Sequence, residues 1–129
     1  MKTAAHRATI LFVGILIGGV VASGLKAQTK PPAYYITQIE LTGDADRFAK
    51  DYGSQVSATL APYGGRFLVR GAKALHLEGA PPKSRNAVIV FDNIDKAQAW
   101  YGSPAYQRLI PIRQQLTTTN SYFVEGFAH

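Results

Sequence analysis

The chain has 129 residues, a formal net charge of +6 and no cysteine. That length fits one domain rather than two, and the missing thiols exclude disulfides, thiol redox chemistry, cysteine nucleophiles and cysteine metal sites. Of its 14 basic residues, Lys2, Arg7 and Lys26 lie in the first 27 positions, where there is no acid; eleven basic and eight acidic residues remain, interspersed, with no basic run to track a phosphate backbone, which argues against nucleic-acid binding.

In chain order, Lys2, His6 and Arg7 form a short basic start, and Ala8 to Val21 is an uncharged, mostly apolar run. Small residues follow at Ala22, Ser23, Gly24 and Ala27. That order predicts a secretory signal peptide over residues 1–27, cut after Ala27, with Ser23 or Gly24 as alternative cut sites. The competing reading is a retained membrane anchor, but the run falls short of the roughly 20 residues a spanning helix needs. A bacterial periplasm follows as the expected compartment, with full secretion as the alternative and no stable membrane anchor after cleavage.

Residues 28–32 are polar and proline-containing and read as a tether, so the domain is expected over 33–127. Ala33 to Leu41 is rich in β-branched and aromatic residues and reads as the first strand. Thr42-Gly43-Asp44 breaks it, with Asp44 or Thr42 as helix cap. Phe48, Tyr52, Val56, Leu60 and Tyr63 then recur at three- and four-residue steps, marking one face of a helix in which Gly53 is a weak spot. Tyr63-Gly64-Gly65-Arg66 ends the helix in a sharp turn, for which Gly64 and Gly65 supply the backbone freedom. A second strand is expected from Arg66 to Arg70, broken by Gly71, with residues 73–78 resuming it as an edge segment. After a loop over 79–84, Asn86 to Phe91 is the strongest strand pattern, apolar from Ala87 onward and so expected to be buried on both faces. Asp92 and Asn93 open the next helix, Gly102 interrupts it, and Ser103 caps a new turn with Pro104 at its first position. Pro111 is expected to kink or divide that helix. Residues 117–120 read as a turn and 121–125 as the last strand.

The order is β-α-β-β-α-β. This is the α+β, ferredoxin-like split βαβ arrangement, an antiparallel four-stranded sheet with both helices on one face. The first and third strands are then central. Helices cover only one face of such a sheet, and a second copy of the chain is the simple cover for the other, giving a homodimer.

The stretches Tyr63-Gly64-Gly65-Arg66-Phe67, Arg70-Gly71, Leu77-Glu78-Gly79 and Val88-Ile89-Val90-Phe91, the run from Ala97 to Gln107, and Arg113 together resemble the family known as domain of unknown function 1330. The resemblance covers residues 32–127. It implies a ferredoxin-like fold of the dimeric α/β-barrel type and implies no reaction. Many members carry Glu where this chain has Val90, and most lack a leader.

The candidate chemistry is sparse. Arg66 and Arg70 stand four apart on one strand, which places them on the same face, where they can hold a carboxylate or phosphate; the other reading is a pair of solvated strand-end charges. Tyr63 flanks the same turn and joins them as a ligand-binding candidate. His76 and Glu78 share a strand face in this reading, yet the only other histidine after the leader is His129, too few for a metal site. His76 remains a ligand-binding candidate, with no metal and no cofactor expected. Tyr52, Tyr63, Trp100, Tyr101, Tyr106 and Tyr122 read as core filling or as the lining of a pocket. No hydrolase elbow, phosphate loop, dinucleotide fingerprint or paired-carboxylate signature occurs, so no catalytic residue is assigned. Two functions stay open: binding or modification of a small organic molecule, and a non-catalytic binding or assembly role in the cell envelope.

Overall fold

The computed structural model describes residues 30–127. The leader expected over 1–27 lies outside the described residues. Four strands form one antiparallel sheet: β1 (Ala33–Leu41), β2 (Arg66–Ala72), β3 (Arg85–Phe91) and β4 (Thr117–Glu125), in the order β2-β3-β1-β4. β1 and β3 are the central pair, as the apolar third strand requires. The fold is the expected ferredoxin-like one.

Between β1 and β2 runs a continuous helical segment: α1 (Ala45–Phe48), a π turn (Ala49–Gly53), α2 (Ser54–Leu60) and a 3-10 turn (Ala61–Tyr63). Asp44 caps it, its Oδ1 accepting from the Arg47 amide at 2.8 Å. The widened turn falls at the predicted weak spot and ends on Gly53. Between β3 and β4 lie α3 (Ile94–Tyr101), α4 (Pro104–Gln107) and α5 (Ile110–Leu116). Asn93 Oδ1 caps α3 by accepting from the Lys96 amide. Ser103 caps α4, its Oγ accepting from the Tyr106 amide and donating to the Trp100 carbonyl. Pro111 sits in the first turn of α5, where its missing N–H is harmless, so the helix is divided rather than kinked.

Three local expectations are corrected. Residues 117–120 are not a turn: α5 runs straight into β4, with Thr117 already extended (φ −145°, ψ 161°) and paired with Leu41. The Thr117 hydroxyl donates to the Arg113 carbonyl at 2.6 Å, closing the helix end so that no separate turn is needed. Residues 73–78 do not resume an edge strand; they belong to an exposed arm in which Leu75 and Leu77 are 88% and 84% accessible. Gly71 does not end β2, which continues through it at φ +67°.

Alternation along β1 sorts the two sheet faces. Ala33, Tyr35, Thr37 and Ile39 are buried under the helices, while Tyr34, Ile36 and Gln38 lie half-buried on the other face. Across the ladder, Tyr35 pairs with Ile89 and Phe123, and Ile36 with Val88 and Tyr122. The core between sheet and helices is mostly aromatic. Trp100 and Tyr106 are fully buried with ring centroids 4.1 Å apart, and Trp100 meets Phe91 at 5.4 Å and Tyr35 edge-on at 5.2 Å. The Trp100 Nε1–H donates to Thr59 Oγ1, which itself donates to the Val56 carbonyl. Buried rings of this size bring about 150–250 Å² each out of water and dominate the stability of a small domain.

Candidate functional site

A cleft of about 420 Å³ opens between the first helical segment and the sheet. The helical wall is Phe48, Ala49, Tyr52, Gly53, Ser54 and Val56; the floor is Tyr35, Thr37 and Ile39 of β1 with Ala87 and Ile89 of β3; Trp100 closes the back. Phe67, Arg70, Gly71, Arg85 and Asn86 supply the remaining side. The lining is mostly apolar and aromatic, with few polar groups, which is the usual make-up of a small-ligand site.

The π turn shapes this wall. A π turn shifts the backbone hydrogen bonds by one residue and widens the helix, and such turns recur at functional sites. Here the Gly53 carbonyl accepts from Arg70 Nη2 at 2.9 Å, and Ser57 Oγ accepts from Arg70 Nη1 at 3.1 Å. Two elements distant in sequence are thereby tied across the cleft mouth. The Arg70 guanidinium lies 4.4 Å over the Phe67 ring, a cation–π contact that further fixes it. Arg85 approaches the Phe48 ring at 5.9 Å from the other side. No carboxylate lines the cleft.

At the inner end, the hydroxyls of Tyr52 and Tyr106 meet at 2.7 Å in a buried pair. Burial first, and then the neighbouring Tyr35, push Tyr52 up to about 12. Burial likewise drives Tyr106 upward, with Tyr52 adding to it. Both hydroxyls therefore stay protonated at neutral pH, so they orient and donate hydrogen bonds rather than abstract protons. Tyr35 hydrogen-bonds to Ser121 Oγ, which also meets Thr37 Oγ1 at 2.8 Å.

The sequence-predicted candidates do not converge. Arg70 is at the cleft. Arg66 is not: it opposes Val90, on the face away from the helices. Register shifts between Phe67 and Val69 and between Val69 and Ala72 break the two-residue alternation, so positions four apart no longer share a face. Tyr63 packs half-buried against the core and lines no part of the cleft. His76 is exposed in the arm, its Nε2 2.7 Å from the Gly79 carbonyl, and Glu78 shares no strand with it. Gly64 and Gly65 do form the helix-ending turn. The residues that sequence reasoning missed are Arg85 and Phe48; Asn86 borders the cleft, but its side chain lies on the Gln38 face and donates to the Ala72 and Lys83 carbonyls. The signal for Arg85 was weak but present: it is a charged position opening an otherwise apolar central strand.

The Trp100-Tyr101-Gly102-Ser103-Pro104-Ala105-Tyr106 stretch is a packing and capping device. Trp100 and Tyr106 fill the core and Ser103 turns the chain between them.

No functionally curated protein matches the sequence. Among solved structures, the chain is similar to the RPA0582 protein of unknown function from Rhodopseudomonas palustris, at 15% identity over 83% of this chain and 92% of that one, with a TM-score of 0.63. It is also similar to SnoaB, a cofactor-independent oxygenase from Streptomyces nogalater, at 14% identity over 77% of this chain and 96% of that one, with a TM-score of 0.53. At such identities the likeness shows the fold alone. A family model matches residues 32–127, and the chain belongs to that family, described as domain of unknown function (DUF1330).

Proposed function

We propose that the chain is an exported domain that binds a small organic molecule in the cleft between its first helical segment and its sheet, working as a homodimer. The observation that carries this reading is the cleft itself: about 420 Å³, walled by aromatic and aliphatic side chains, with two arginines at its rim. A structure that used its sheet and helices only for assembly has no need of that space, and close packing normally removes it. The export leader and the periplasmic compartment rest on residues 1–27, and the homodimer on the open sheet face. SnoaB is an oxygenase that uses no cofactor; this chain shares a fold with it, and binding and orientation are proposed here, for which Tyr52 and the arginines supply the polar groups.

Filling the cleft tests the reading. Ala87 points from the sheet into the space, and Ala87→Phe occupies it. In a saturation-transfer NMR screen of small aromatic and aliphatic compounds, the wild-type protein gives signals and Ala87→Phe loses them while keeping its fold. Signals that survive in the filled variant come from another surface and reject the cleft as the binding site.

A further inference from the structure

We infer that the ligand of this cleft is a planar aromatic carboxylate, its ring against Phe67 and Ala87 and its charge between Arg70 and Arg85. The inference rests on the cleft reading above and narrows it to a chemical class.

Two guanidinium groups border the cleft, and none of its lining side chains is acidic. The ion pairs among the described residues are Arg47 with Asp51 and Lys96 with Asp92, so neither cleft arginine is neutralised by the protein. Arg70 spends two donors on neutral acceptors, Ser57 Oγ and the Gly53 carbonyl. A guanidinium has five N–H donors, so three remain to be offered elsewhere. Its position is held by those bonds and by Phe67, which means little side-chain freedom is lost when an anion arrives. Arg85 contacts the Phe48 ring and keeps its donors open. Two like charges beside an apolar wall repel a cationic ligand and favour an anion, and the planar carboxylate matches the guanidinium fork.

Phe48 and Tyr52 stack on each other at 5.2 Å and are almost fully buried, so the accessible apolar lining of the cleft is Ala49, Phe67 and Ala87. A small hydrated anion such as acetate leaves that lining wet. An aromatic body covers it and sets the ligand's carboxylate at the rim, where the arginines stand.

The test is isothermal titration calorimetry of the purified protein with naphthoate, its neutral isostere naphthamide, and acetate. Naphthoate binds at least tenfold tighter than naphthamide, about 1.4 kcal/mol, and acetate is weaker than both. The Arg70→Gln/Arg85→Gln double variant brings naphthoate affinity down to that of naphthamide; the ratio between the two compounds, rather than either affinity alone, is the readout. Arg85→Gln alone, which leaves the Arg70 bonds to the helix in place, removes part of the preference. Equal binding of naphthoate and naphthamide overturns the inference and leaves the cleft reading standing. So does a preference that survives in the double variant. Acetate binding as tightly as naphthoate removes the aromatic body. If neither aromatic compound binds, the inference falls, and the NMR screen with Ala87→Phe decides the cleft reading on its own.

Discussion

Gly64 and Gly65 are adjacent and are needed for different reasons. Gly64 sits at φ +69°, a left-handed conformation, and its amide donates to the Ala61 carbonyl; the Gly65 amide donates to Leu60. Together these bonds form the Schellman close of the helical segment. Gly65 has an ordinary backbone and no room: a Cβ there meets Phe91 Cε1 at 2.7 Å and Leu60 Cδ2 at 2.8 Å, both on buried side chains. Gly71 is the converse, with φ +67° and nothing within 4 Å of an added Cβ. Urea unfolding therefore separates the two costs. Gly65→Ala loses about 3 kcal/mol through overpacking, and Gly71→Ala about 1 kcal/mol through backbone strain alone. Equal losses at the two sites count against this division. The glycine turn was legible in the sequence because helix periodicity stops there and strand composition begins. The pairing of Arg66 with Arg70 was misread because alternation assumes an unbroken ladder. The irregularities in β2 are set by its pairing with β3, which local sequence does not carry.

At the scale of elements, caps and strands were legible, and contacts between helices were not. Asp44, Asn93 and Ser103 cap the helices they were expected to cap or open, because capping is a short-range competition for free amides. The Tyr52–Tyr106 bond joins the π turn to α4 across 54 positions, and nothing local announces it. It has a measurable consequence. In the unfolded chain both tyrosines ionise near pH ~10; in the folded chain Tyr52 holds its proton to about 12 and Tyr106 is also raised. Above the unfolded value the unfolded state binds fewer protons than the native one, so stability falls as pH rises from about 10 towards 12, and it is indifferent to this pair below that window. Each tyrosine contributes a slope approaching ~1.4 kcal/mol per pH unit. Tyr52→Phe costs about 1 kcal/mol at neutral pH, because it leaves the Tyr106 hydroxyl buried without its partner, and it removes roughly half of the alkaline slope. Urea midpoints across that alkaline range provide the check. Tyrosinate absorbance showing all seven tyrosines ionising together near the ordinary value refutes the protected pair.

At the scale of the whole molecule, the uncovered surface is the sheet face that carries no helix. Tyr34, Ile36 and Val88 are half-buried there, and Val69, Tyr122 and Val124 are exposed at 36%, 47% and 43%. These side chains form a contiguous apolar surface across all four strands by the register of the ladders. Patches of this kind on a small protein mark an interaction site. A two-fold partner presenting the same face is the economical cover, because one sequence solves both sides at once. That need follows from the β-α-β-β-α-β order alone, since both helices of that arrangement lie on one face. Ile36→Lys places a charge at the centre of the face, opposite Val88 on one side and Tyr122 on the other, without touching the core under the helices. Burying an unpaired ammonium in an interface costs several kcal/mol, whereas on an open monomer the same lysine extends into water at little cost. Sedimentation velocity at micromolar concentration then gives a dimer for the wild-type chain and a folded monomer for Ile36→Lys, with circular dichroism unchanged. A wild-type chain that sediments as a monomer removes the shared-sheet argument. A lysine variant that remains dimeric moves the interface elsewhere, with the exposed arm bearing Leu75 and Leu77 as the next surface to substitute.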